Sequence, residues 1–179
     1  DRLPSDLYGN VFVADPAANL VSRVVVEAGG RDVRARKGYD RGEFLATTDE
    51  RFRPVYITNA PDGTLYVADM YRGIIEHRIS ITEYLRDQIG ARKLEQPIGL
   101  GRIYRVMHAT TRRDTTTRVS NSSSGRLVET LAHPNGWWRD TAQQELVMRQ
   151  NRSVVPALVA MAKGNESLVA RFHALWTLE

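Results

Sequence analysis

One β-type segment occurs twice in this chain, 54 residues apart: Gly9-Asn10-Val11-Phe12-Val13-Ala14-Asp15 returns as Gly63-Thr64-Leu65-Tyr66-Val67-Ala68-Asp69. Alternating apolar residues that end on an aspartate predict a strand followed by a tight turn. Asn19-Leu20-Val21 then stands opposite Gly73-Ile74-Ile75, and a β-rich run follows each, Arg23 to Val26 and His77 to Ile81. The predicted unit is strand, turn, strand.

A repeated β-meander cannot bury both faces of its sheet alone, so it needs flanking copies, as the blades of a β-propeller do. A closed ring takes about 4–8 blades. Two copies do not close one, so either the fold is something else or the chain is a partial propeller, a piece of a longer parent. The opening residues, Asp1-Arg2-Leu3-Pro4, have neither an initiator methionine nor the layout of a signal peptide, in keeping with that expectation.

With 179 residues, 42% of them hydrophobic, the chain has the material for one globular domain or two small ones. The formal net charge is +4. The excess gathers in the middle, where Arg102, Arg105, Arg112, Arg113, Arg118 and Arg126 face one acid, Asp114. That stretch lacks the aromatic platforms and basic helical face of a nucleic-acid reader, so it reads as a solvated linker with no nucleic-acid partner. The absence of cysteine excludes disulfides, thiolate metal sites, a cysteine nucleophile and covalent haem attachment within these residues. No apolar run approaches the roughly 18 residues of a membrane span.

The expected organisation is β then α. Residues 1–107 are expected to form the terminal blades; the β signals of residues 1–81 hold the two copies, joined by a Gly/Arg-rich stretch from Gly29-Gly30-Arg31 to Gly42. Ser80-Ile81-Thr82-Glu83 has capping-box spacing, and Ile81, Tyr84, Leu85 and Ile89 follow on one helical face, predicting a helix that ends before Pro97. Gly99-Leu100-Gly101 lacks the third glycine of a dinucleotide fingerprint and reads as the turn leading into a strand, Arg102 to Val106. Residues 108–125, rich in Ser, Thr and Arg, predict a linker. In residues 126–179, Arg139, Ala142 and Leu146 recur as Arg171, Ala174 and Leu178, each 32 positions on. Val154, Val155, Leu158, Val159 and Ala162 make one helical stripe, and Leu168, Phe172, Leu175 and Trp176 make another. Helix pairs at such a period predict an α-solenoid that is truncated at Glu179.

The run from Phe52-Arg53-Pro54-Val55 through Asp69-Met70-Tyr71-Arg72-Gly73-Ile74-Ile75-Glu76-His77, followed by Gly99 to Val106, resembles the end of the propeller in bacterial membrane-bound-dehydrogenase-type proteins. These are relatives of the glucose/sorbosone dehydrogenases that use pyrroloquinoline quinone (PQQ). In that family a six-bladed propeller is commonly followed by HEAT-type helical repeats and often by a cytochrome c domain. Leu131-Ala132-His133-Pro134-Asn135-Gly136-Trp137-Trp138 is similar to the start of those repeats. The resemblance implies a periplasmic or otherwise extracytoplasmic parent that binds PQQ and calcium, oxidises a sugar or other small molecule, and passes electrons to a cytochrome. Haem c would belong only to a downstream domain, and the catalytic histidine to a blade absent here.

The candidate cofactor-facing residues are Arg53, Arg72 and Asp69. Blade geometry brings the residue before an inner strand beside the turn that follows the next strand, and paired guanidinium donors suit planar carboxylates. The competing reading is an Asp69–Arg72 pair bracing that turn. Asp15 and Asp69 hold equivalent places, which predicts a shared task of accepting turn N–H bonds. Calcium needs about six to eight oxygen ligands; no acid-rich loop supplies them, and no metal ligand is assigned. His77 is the one candidate proton carrier, although its alternation between Ile75 and Ile79 is equally that of a solvent-facing residue. His133 and His173 read as packing or capping residues, and Trp137-Trp138 as a helix-start anchor. Two functions follow: a piece of a quinone-dependent dehydrogenase, or a non-catalytic propeller and HEAT module that binds a carbohydrate or a protein.

Overall fold

The computed structural model describes residues 1–29, 32–115 and 119–179. Gly30 and Arg31 of the Gly/Arg-rich stretch, and Thr116, Thr117 and Arg118 of the expected linker, lie outside the described residues. Two open antiparallel sheets are followed by a run of helices, so the chain is mixed, β then α. It divides into a sheet unit, Pro4–Thr58 with Leu65–Met107, and a helical unit, Asp1–Leu3 and Asn59–Thr64 with His108–Glu179.

In the sheet unit the repeat is real where it is strongest. Strand β1 (Val11–Asp15) corresponds residue for residue to the strand Leu65–Asp69. β1 pairs with β2 (Leu20–Gly29), closing the turn at Asp15↔Leu20. The turn is tight because Asn19 adopts φ 59° and its amide Nδ2 donates to the Phe52 carbonyl at 2.6 Å. β2 continues into β3 (Asp32–Lys37), and its start also pairs with β4 (Leu45–Ala46). Part of the stretch expected to join the copies is therefore a strand, since Val33 to Arg36 can extend the ladder of β2 while every side chain stays exposed.

The second sheet runs β5 (Pro54–Asn59), β6 (Leu65–Asp69), β7 (Arg102–Val106). Here the repeat breaks. The run expected to return as a strand at His77 to Ile81 is a loop and a 3-10 turn, Arg78–Ser80, and β6 instead takes β7 as its partner, with Asp69↔Arg102 in the place of Asp15↔Leu20. The reason lies at Gly73, which stands where Asn19 stands in the first copy. A Cβ on Gly73 would overlap the Leu94 carbonyl and come within 2.7 Å of the Leu94 Cβ, so the returning chain packs on the turn and displaces it from the sheet. Ile81 and Leu94 are buried in consequence.

Helix α1 (Glu83–Arg92) occupies this insertion. Its N-cap is Thr82, not Ser80: the threonine hydroxyl accepts from Leu85 N at 3.4 Å, while Ser80 closes the 3-10 turn before it. The helix ends at Lys93, in the left-handed region, before Pro97 as expected. Of its predicted apolar face, Tyr84 and Leu85 remain exposed.

The helical unit holds α2 (Ser124–Thr130), α3 (Gly136–Arg149), α4 (Val155–Gly164) and α5 (Leu168–Leu178). The 32-residue offset carries the start of α3 onto the start of α5. Ala142 and Ala174, the repeated small residues, are both 0% exposed, which lets helix axes approach closely around a core of Leu127, Leu131, Trp138, Leu146 and Leu158. The stripe Leu168, Phe172, Leu175 and Trp176 faces outward instead. Asn135 caps α3 by accepting from Trp137 N at 3.0 Å, and its Nδ2 donates to the Ala60 carbonyl at 2.8 Å. Trp138 donates Nε1–H to the Pro61 carbonyl at 2.8 Å, so the tryptophan pair does anchor a helix start.

His173 sits in this packing with Nδ1 against Gln143 Oε1 at 2.7 Å and Nε2 receiving Arg139 Nε at 3.4 Å; Asp140 Oδ1 lies 3.8 Å from the same nitrogen. Burial, then the Arg139 charge, lowers its pKa below 6.5, and burial lowers that of His133 as well. The unfolded chain takes up protons first, so stability is full above the ordinary histidine range and falls as pH drops below about 6.5. The expected result is a lower unfolding temperature at pH 5 than at pH 7.5, with a smaller difference in His173→Gln, measured by far-UV circular dichroism.

Candidate functional site

The candidate residues converge where β5 begins and β6 ends. Asp69 is 0% exposed at its side chain. Its Oδ1 accepts from Arg53 N and from Tyr71 N, both at 2.8 Å, and Met70 N returns a bond to the Arg53 carbonyl at 2.9 Å. Asp15 does the same task in the first copy, with Oδ1 accepting from Ala18 N at 3.0 Å. An aspartate at a strand end can hold the next turn because its short carboxylate reaches N–H groups two or three residues on.

Arg53 meets the turn after β6, as the sequence predicts, through its main chain and its guanidinium together. Nε donates to the Arg72 carbonyl at 2.9 Å and Nη2 to the Gly73 carbonyl at 2.8 Å. Nη1 donates to the Pro16 and Ala17 carbonyls at 2.7 and 3.3 Å, in the turn after β1. One guanidinium thus ties together the two turns that the repeat makes equivalent. A planar group with five N–H donors suits a set of main-chain carbonyls as well as it suits a carboxylate.

Arg72 points its side chain to solvent, and among the described residues its guanidinium has no partner. The expected Asp69–Arg72 pair is replaced by Asp69 Oδ2 and Arg102 Nε at 3.9 Å. Arg102 stacks on the Tyr71 ring, 3.7 Å from its centroid, while Tyr71 holds φ 48°. Sequence reasoning missed Arg102 as a partner, although it stands in the register slot opposite Asp69 once β7 is recognised as the mate of β6. His77 is exposed and off any strand, and His108 bonds through Nδ1 to the Thr110 hydroxyl at 2.8 Å.

Beside Arg53 opens a cleft of about 370 Å³. Ile74, Ile81 and Leu94 line it, α1 adds Tyr84, Leu85, Gln88 and Ile89, and Glu50 with Arg92 contribute an ion pair. This is an apolar floor with a few polar groups and one aromatic face at the rim, the general make-up of a small-molecule site. Among the described residues no three His, Cys, Asp or Glu side chains gather as metal ligands. No helix of the described residues is long and apolar enough to cross a membrane.

No curated protein and no solved structure matches this chain. A family model described as a domain of unknown function (DUF7133) matches residues 1–110, which takes in both sheets, α1 and the cleft. The chain belongs to the DUF7133 family.

Proposed function

We propose that this chain is a binding module, two propeller-type blades followed by HEAT-type helix pairs, and that the cleft beside Arg53 takes a carbohydrate. The observation that carries the reading is the bonding of Arg53: its guanidinium is spent on four main-chain carbonyls, so it stiffens the wall of the cleft and leaves recognition to Tyr84, Gln88 and the Glu50–Arg92 pair. An aromatic face next to planar polar groups suits a sugar ring, which offers C–H on one side and hydroxyls at its edge. The matching strands β1 and β6, each ending on an aspartate that holds the next turn, support the blade reading, and the 32-residue helix offset supports the HEAT reading. Saturation-transfer NMR against a panel of mono- and oligosaccharides is expected to find a binder whose affinity drops about 10-fold in Tyr84→Ala, a loss of ~1.4 kcal/mol. A panel with no transfer, or a binder indifferent to Tyr84, defeats the reading.

The exposed guanidinium of Arg72 favours a second reading, a part of a quinone-dependent dehydrogenase of the extracytoplasmic kind. The residues fit the quinone only in part, because Arg53 and Asp69 are committed to the backbone and Arg72 alone is available to a carboxylate. Quenching of tryptophan fluorescence by PQQ, saturable and lost in Arg72→Ala, would carry this reading. Linear quenching that ignores Arg72 would retire it.

A further inference from the structure

We infer, resting on the carbohydrate reading above, that the cleft beside Arg53 is the larger lobe of a two-part groove, and that the groove takes a neutral oligosaccharide with one ring in each lobe. A second hollow of about 180 Å³ shares Ile74, Glu76, Ile81 and Ile89 with the cleft, and Arg86, Gly90 and Glu95 complete it. By itself it falls short of the roughly 300–1,000 Å³ of a self-standing ligand site, so it serves as an extension of its neighbour. Every residue lining the two lobes lies between Ala17 and Glu95, inside the stretch matched by the family model.

The two lobes differ in their charges. In the larger one Glu50 is paired with Arg92, and Arg53 is held by main-chain carbonyls. In the smaller one the charges stay open. Among the described residues the Arg86 guanidinium and the Glu95 carboxylate have no partner, and Glu76 accepts only from its neighbour, Ile75 N to Oε2 at 3.4 Å. These groups select the ligand. A hydrocarbon lying on Ile74, Ile81 and Ile89 would strip water from the carboxylates and the guanidinium and return no hydrogen bond. A sugar ring meets the isoleucines with its C–H face, and each hydroxyl at its edge can donate to Glu76 or Glu95 and accept from Arg86. Two open carboxylates against one guanidinium leave the lobe anionic, so a uronic acid is repelled and a neutral ring is admitted.

The test is an NMR chemical-shift titration of the whole chain with glucose, xylose, cellotriose, maltotriose, xylotriose and trigalacturonic acid. At least one neutral trisaccharide is expected to bind at least about 10-fold more tightly than its own monosaccharide, and trigalacturonic acid is expected not to bind. A Cβ on Gly90 meets nothing within 4 Å, so Gly90→Leu adds a side chain to the smaller lobe without a clash and without a change of charge. In Gly90→Leu, and separately in Glu95→Ala, the ratio of trisaccharide to monosaccharide affinity is expected to fall to near unity. Circular dichroism should show the same helix content throughout, because Gly90 and Glu95 are both exposed. Equal affinity for trisaccharide and monosaccharide, or a gain that survives both variants, overturns the two-lobed groove and leaves the single-cleft reading standing. Preference for trigalacturonic acid overturns the charge assignment. Silence from every sugar defeats the cleft reading and this one together.

Discussion

Asn135→Ala should lower the stability of the helical unit by about 2–4 kcal/mol, because two separate losses coincide in one side chain. The carboxamide oxygen caps α3 at Trp137 N, and its removal alone costs about 0.5–2 kcal/mol. The amide donates to the Ala60 carbonyl in a position where Asn135 is 3% exposed, and a buried carbonyl left without a donor costs about 1–3 kcal/mol more. Asn135→Asp separates the two. It keeps the cap oxygen, yet offers the Ala60 carbonyl an acceptor instead of a donor, so it should recover little of the loss. Urea unfolding followed by tryptophan fluorescence measures both variants; a shift under about 0.5 kcal/mol in Asn135→Ala would contradict the bonding described.

Asp69→Ala should cost the sheet unit a similar amount, about 2–5 kcal/mol, because Arg53 N and Tyr71 N lose their acceptor in a buried site. The informative comparison is Asp69→Asn. Both N–H groups bond to Oδ1, which an asparagine oxygen can replace, whereas the contact to Arg102 is 3.9 Å long and Arg102 is 41% exposed. A pair of that length and exposure contributes no more than about 1 kcal/mol. Asp69→Asn is therefore expected to retain most of the stability that Asp69→Ala loses. Equal losses in the two variants would instead place the weight on the charge. Chemical unfolding monitored by far-UV circular dichroism distinguishes the outcomes.

The parts of the fold legible in the sequence are those fixed by local pattern. Val11, Val13 and Asp15 alternate as Leu65, Val67 and Asp69 do, and alternation ending in a turn-capping aspartate specifies a strand whatever surrounds it. The 32-residue helix offset was equally readable, because Ala142 and Ala174 mark close approach. What could not be read depends on tertiary packing. Ile74 to Ile81 has strand-like composition, but Leu94 folding back onto Gly73 takes the space in which a second ladder would form. The periodicity of α5 announces an apolar stripe without saying which neighbours it meets, and the alanines on the other side win the core. At the site, proximity of Arg53 to the turn was foreseeable from strand order. Its bonding to Pro16 and Ala17 was not, since it requires the first copy to lie against the second.

The strand β3 carries Arg34, Arg36 and Lys37 on a fully exposed outer edge, while β1 at the other edge shows Val11 and Val13, each 47% exposed. Charged side chains along the β3 rim, two of them paired to Glu27 and Glu43, oppose the templating of another chain, and the valines of β1 offer less of that guard. Misassembly in a crowded solution should therefore be polar, starting from one flank of the sheet, and a single lysine placed at Val13 should delay it more than any change on the arginine side.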